Sequence, residues 1–152
     1  MEEIPFTPMG RADIHKLESI LLFATLMRKE VIEMIKDPKE RLTWVDSLAV
    51  AASAIAREKA MMSISEIANE LGRTEVSIRK HLKGESKAGQ LVRETYELLK
   101  QGKLDEILKG IAFEDKRLEE EIERLKAENE NLKLKLSKVR EKLSELDEIL
   151  KS

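Results

Sequence analysis

The sequence predicts an all-α protein: a helical domain containing a helix-turn-helix without a wing, followed by a long C-terminal parallel dimeric coiled coil. Three observations lead there. No segment alternates apolar and polar residues with period two, so nothing reads as a half-buried strand. Ser63, Gly72, Thr74, Gly84 and Ser86 fall at the spacing of helix caps and stops. From Phe113 onward there is neither Gly nor Pro, and apolar residues recur in steps of four and three.

Composition narrows the function classes. The 152 residues suffice for one modest domain and an appendage. Charged residues reach 38%, well above the roughly 25% of an average soluble protein, and Lys and Glu dominate them. With no cysteine, disulfides, thiolate chemistry and cysteine-based metal sites are excluded. The start, MEEIPFTPMG, is acidic and lacks an apolar core, so no signal peptide is expected. The longest apolar run, Ile20 to Met27, is far below the roughly 20 residues that span a bilayer. A soluble cytoplasmic protein with no membrane partner is expected. The net charge of −2 argues against a polycationic nucleic-acid binder, but the distribution is uneven. From Gly72 to Arg93 six bases (Arg73, Arg79, Lys80, Lys83, Lys87, Arg93) stand against two acids (Glu75, Glu85). A locally basic face on an acidic chain suits a directed contact to phosphates.

In chain order, Met1 to Arg11 carry Pro5, Pro8 and Gly10 and read as an arm or loop. A helix is expected from about Asp13, its N-cap, to Lys36. Ile14, Leu17, Leu21, Ala24, Val31 and Ile35 line one side of it. Ile20, Leu22, Phe23, Leu26 and Met27 widen the apolar surface nearly all round, so it is either central to the domain or a partner interface. Asp37-Pro38 ends it. A second helix is expected from Pro38 to Met61, with Leu42, Val45, Leu48, Ala49, Ala52, Ile55 and Ala56 inward and a run of alanines permitting close approach.

Ser63-Ile-Ser-Glu66 has the capping-box spacing, with Met62 and Ile67 placed as a hydrophobic staple. The short helix stops at Gly72. Thr74 caps the next, which runs to Lys83 and stops at Gly84. Ser86 starts a further helix to Gln101, and Gly102 stops that. A small helical piece, Lys103 to Lys109, is expected to stop at Gly110. These signals divide the chain into an N-terminal helical region (1–62), a helix-turn-helix with its supporting helix (63–101), a short helical connector (102–112) and a leucine-zipper-like coiled coil (113–152).

The coiled coil has Ile122, Asn129, Leu136, Leu143 and Leu150 at a, and Leu118, Leu125, Leu132, Val139 and Leu146 at d. A helix packed on its own domain would drift towards period 3.6, whereas this pattern holds the 3.5 repeat. Asn129, a lone polar a residue, favours two parallel strands in one register. In that register Glu121 meets Lys126, Glu128 meets Lys133 and Lys142 meets Asp147 of the other chain, while Lys135 facing Arg140 is repulsive. Each exposed pair is worth only a few tenths of a kcal/mol, so the leucines and Asn129 set the association as a parallel homodimer.

Between Ser63 and Gly84 the pattern suits two helices crossing at a steep angle. Ala68 is the small residue of the first helix and Gly72 makes the turn. Ile67, Leu71, Ile78 and Leu82 face inward. Arg73 stands where an apolar residue is commoner. ELGRTEVSIRKHL resembles the helix-turn-helix of bacterial and archaeal transcription regulators, including the Ser/Thr cap and a histidine, His81, near the end. More broadly, Leu42 to Leu99 resembles an archaeal family of regulatory domains associated with KaiC-like ATPases. That resemblance implies a regulatory role and an ATPase partner, without a defined mechanism.

If the second helix is a recognition helix, Thr74, Glu75, Val76, Ser77, Arg79, Lys80, Lys83 and Lys87 are the residues left to meet double-stranded DNA. Glu75 can accept from cytosine N4, Val76 can touch a thymine methyl, and Arg79 can read guanine or grip phosphate. Lys80, Lys83 and Lys87 suit phosphates, which position without specifying. The plainer reading is a trihelical unit with a solvated basic face. No P-loop, dinucleotide fingerprint or metal-ligand cluster is present. His15 with Glu18 reads as a surface pair, and His81 as a packing or phosphate-contacting residue. No enzyme, cofactor or metal is expected. Two functions remain: a homodimeric DNA-binding transcriptional regulator, or an adaptor that binds a protein such as a KaiC-like ATPase without touching DNA.

Overall fold

The computed structural model describes residues 3–152, and the side chains of that span other than those of 110–114. Its helices are α1 (Arg11–Leu26), α2 (Lys29–Ile35), α3 (Arg41–Lys59), α4 (Ile64–Leu71), α5 (Glu75–Lys83), α6 (Lys87–Lys100) and α7 (Leu104–Lys151). No strand occurs among the described residues, and the α5–α6 connection is a short turn in place of a wing. The chain divides into two compact units, Met1–Ala112 and Phe113–Ser152.

In the first unit α3 is the hub, packing against α1, α2, α4, α5 and α6. Ala51, Ala52, Ala54 and Ala56 are all buried. Side chains this small let neighbouring helices approach on more than one side. Around them close Leu17 and Leu21 of α1, Val31 of α2, Leu48 and Ile55 of α3, Ile67 of α4, Ile78 of α5 and Leu91 and Val92 of α6. One core therefore serves both the N-terminal helices and the helix-turn-helix.

Several boundaries differ from expectation. The first predicted helix is two helices. Its 24 residues would have made a rod about 36 Å long; instead Arg28 turns extended (φ −69°, ψ 137°) and α2 folds back onto α3. Arg28 compensates for the break. Its guanidinium donates to the Leu91 carbonyl (2.9 Å) and the Glu94 carboxylate (3.0 Å) of α6. Beside it the buried Thr25 and Thr95 hydroxyls lie 2.9 Å apart. Asp13 is not the N-cap of α1. Gly10 holds that position, and Asp13 sits in the first turn, where its carboxylate accepts from the Met9 N–H at 3.2 Å. Of the nearly all-round apolar surface, only Phe23 points clearly outward, at 65% exposure.

The arm is not free: the Phe6 and Tyr96 rings meet edge to face with centroids 5.6 Å apart, and the Tyr96 hydroxyl donates to the Phe6 carbonyl at 3.1 Å. Met1 and Glu2 lie outside the described residues. Pro38 stands in the turn before α3, not in its first turn. Arg41 opens α3 and donates to the Ile35 carbonyl at 2.8 Å, satisfying an acceptor that the end of α2 leaves unpaired. Leu42, expected inward, is 81% exposed. Gly110 does not stop a helix, since α7 runs through it.

Met61, just after α3, has a left-handed backbone (φ 66°) and a largely exposed side chain. A residue with a Cβ pays a steric cost of about 1–2 kcal/mol there, partly offset by the greater freedom glycine has when unfolded. Met61→Gly should therefore raise stability by roughly 0.5–1 kcal/mol, read as a higher midpoint in urea denaturation.

In the second unit the backbone is helical to Lys151. The a and d side chains of this single chain are between 50% and 83% exposed wherever they are apolar. Glu121 pairs with Arg124, Lys142 with Glu145, and Asp147 with Lys151 along the same helix. Of the residues expected to pair between chains, Glu121, Lys142 and Asp147 thus have local partners already.

Candidate nucleic-acid interface

The helix-turn-helix is α4, the turn at Gly72 to Thr74, and α5. Ser63 accepts from the Glu66 N–H (3.2 Å) while the Glu66 carboxylate accepts from the Ser63 N–H (2.8 Å), a complete capping box. These bonds hold the Glu66 carboxyl below the usual carboxylate range. Gly72 adopts the left-handed conformation (φ 63°) that ends α4. Thr74 caps α5 by accepting from the Ser77 N–H at 3.1 Å. Arg73, in the place where an apolar residue is commoner, reaches back to Asp46 of α3 at 3.2 Å and closes the turn from outside.

Burial sorts the two helices cleanly. Ile67 and Ala68 of α4 and Ile78 and Leu82 of α5 are buried, with Leu71 partly so. Thr74, Glu75, Val76, Arg79, Lys80, Lys83 and Lys87 are exposed, and Ser77 is half-buried. Thr74 uses its hydroxyl oxygen as the helix cap, so its first task is structural. Lys87 opens α6 and lowers the Glu94 carboxyl through its charge, a smaller effect there than burial, which acts upward, or the hydrogen bonds from Arg28 and Gln90.

Four arginines of the scaffold have carboxylate partners, Arg11 with Glu70, Arg28 with Glu94, Arg57 with Glu18 and Glu70, and Arg73 with Asp46, while Arg41 donates to backbone carbonyls. The side chains of Arg79, Lys80, Lys83 and Arg93 have no ion pair or hydrogen bond among the described residues. Unpaired surface cations on one short helix and its neighbour are available to an external anion without first breaking an internal bond. Arg93 is the member of this set that the motif did not single out. Its guanidinium lies against the turn at Gly84, where an added Cβ would come within 3.3 Å of it.

Two arrangements fix how α5 is presented. At Gly89 the backbone of α6 comes so close to α5 that an added Cβ would sit 2.3 Å from the His81 carbonyl oxygen. Beside it the Ser86 hydroxyl accepts from the Gly89 N–H (3.0 Å) and lies 2.7 Å from His81 Nδ1. Burial pushes the His81 imidazole below its ordinary value.

The second arrangement is an ion-pair cluster beneath α4. Arg57, 5% exposed, donates to Glu70 of α4 at 2.5 Å and to Glu18 of α1 at 2.6 Å. Arg11 reaches Glu70 at 2.7 Å, and His15 lies 2.7 Å from Glu18. The His15–Glu18 pair is thus the outer edge of a cluster joining three helices. Burial alone would raise the Glu18 carboxyl, but the hydrogen bonds from His15 and Arg57 and the Arg57 charge outweigh it and hold it below its ordinary value. A carboxyl lowered in the folded state stabilises fully above its unfolded value. That contribution is lost as pH falls through the folded value. Urea unfolding at neutral pH and at about pH 3 should show a larger loss on acidification for the wild type than for Glu18→Gln.

Among the described residues no group of three His, Asp or Glu side chains could hold a metal ion, and no helix is long and apolar enough to cross a membrane. Over 102 residues, 67% of the chain, the sequence is 63% identical to uncharacterized protein MJ1053 of the archaeon Methanocaldococcus jannaschii. The match spans 63% of that relative's length. No family model and no solved structure matches the chain.

Proposed function

We propose that the protein is a homodimeric DNA-binding transcriptional regulator that places α5 in the major groove. The observation that carries this reading is the division of α5 into a buried packing face and an exposed face whose cations have no internal partner among the described residues. The resemblance of ELGRTEVSIRKHL to regulator helix-turn-helices gives the same direction. Thr74 to Ser77 are at the groove-entering end, where Glu75 and Val76 meet base edges. Arg79 sits one turn on, and Lys80, Lys83 and Lys87 meet phosphates. The C-terminal helix supplies the second copy: its a/d seam pairs in parallel around Asn129, so two α5 helices address two half-sites.

The alternative is an adaptor that binds a protein partner, in the manner the resemblance to KaiC-associated regulatory domains implies. The outward Phe23 supports it. The unpaired cations favour DNA. Selection from a pool of random duplexes, followed by titration, tests the reading. The expected result is enrichment of paired half-sites about 10–10.5 bp apart or a multiple of that. Arg79→Ala should then cost about 1–3 kcal/mol on the selected site, if it grips a guanine, and much less on random duplex. No enrichment, with Arg79→Ala indifferent, would leave the adaptor reading in its place.

A further inference from the structure

We propose that the cleft at the C-terminal end of α5 binds a small amphipathic monoanion, a compact apolar body carrying one acidic group. The cleft has a volume of about 790 Å³, within the roughly 300–1,000 Å³ of small-molecule sites. It lies between α3, the end of α5 and α6, and edges of Ile55, Leu82 and Tyr96 form its apolar floor. Its charges are unequal in their commitments. Arg28 and Glu94 are bonded to each other, and Lys59 sits 4.7 Å over the Tyr96 ring and 3.9 Å from Glu58. Lys83 and Arg93 flank Gly84 and have no partner among the described residues. They make the anionic end of the site. Glu97 also lines the cleft, and its charge disfavours a ligand with a second acidic group. Four cations against three carboxylates match a monoanion.

Lys83 belongs to both this cleft and the proposed DNA face, so a bound anion would neutralise a phosphate contact. That consequence alone rests on the DNA reading, and the binding itself does not. The test is therefore made without DNA, on the full chain, with 8-anilinonaphthalene-1-sulfonate as probe and N-phenyl-1-naphthylamine as its uncharged counterpart. The sulfonate should bind saturably, one per chain, at least tenfold tighter than the neutral probe. Arg93→Glu and, separately, Lys83→Gln should each weaken it severalfold or more, with Arg93→Glu the larger at about tenfold. Lys39→Glu, which changes net charge equally on an exposed turn, should leave it within twofold. Equal affinity for the two probes, or an Arg93→Glu protein that binds like wild type, would overturn the proposal. Probe held on the exposed seam of α7 gives that second result.

Discussion

Ending the chain before Arg117 should lower affinity for a duplex carrying two half-sites by roughly 10²–10⁴-fold. The second half-site is bound at the high effective concentration set by the first, and this advantage disappears when the copies are no longer linked. Among the described residues the buried apolar core extends no further than Ile107, so the shortened chain retains the packing that presents α5. On a duplex with one half-site the same truncation should change affinity little. Fluorescence anisotropy on the two duplexes makes the comparison, and sedimentation shows whether the shortened chain is a monomer. Equal losses on both duplexes, or none on either, would separate the C-terminal helix from DNA recognition.

Gly89→Ala should destabilise the fold by about 2–3 kcal/mol, even though alanine is intrinsically the better helix former by about 1 kcal/mol. The added methyl would lie 2.3 Å from the His81 carbonyl oxygen and 2.7 Å from its Cα. These are backbone atoms, and no side-chain rotation relieves the overlap. α5 must move away from α6, breaking the Ser86 bridge on the way. A control is Gly10→Ala, where nothing lies within 4 Å of the added methyl and the change should stay within about 1 kcal/mol. Thermal denaturation should show Gly89→Ala melting roughly 4–12 °C below wild type. A melting point equal to that of Gly10→Ala would mean that the α5–α6 contact is looser than the structure has it.

What could be read from the sequence was whatever local chemistry determines. The capping box at Ser63, the left-handed stop at Gly72, the Thr74 and Ser86 caps and the stop at Gly84 each depend on residues within one turn, and each stands where expected. The inward set Ile67, Ile78 and Leu82 followed from helical periodicity. The break at Met27–Arg28 was not legible, because no Gly or Pro marks it. Its compensation comes from Leu91 and Thr95, more than sixty residues away. Arg57 escaped notice for the same reason: in an alanine-rich helix it reads as a surface residue, and its partner Glu18 is 39 positions distant. Gly110 misled in the opposite direction. A single glycine costs a helix only about 1 kcal/mol relative to alanine, and the strong helix formers on both sides carry α7 through it. On the candidate interface, sequence identified the cations of α5. That Arg93 lies against the turn at Gly84, and that most scaffold arginines are already paired with carboxylates, required the fold.

In the proposed function the exposed cations of α5 meet DNA phosphates. The direct measurement is the slope of log affinity against log salt for duplex DNA, for the wild type and for the combined Arg79→Ala, Lys80→Ala, Lys83→Ala protein. The wild-type slope should be steep and should fall by about one unit for each cation removed, roughly three per bound chain. A wild type without salt-dependent affinity for any duplex, or a triple variant with an unchanged slope, would contradict it.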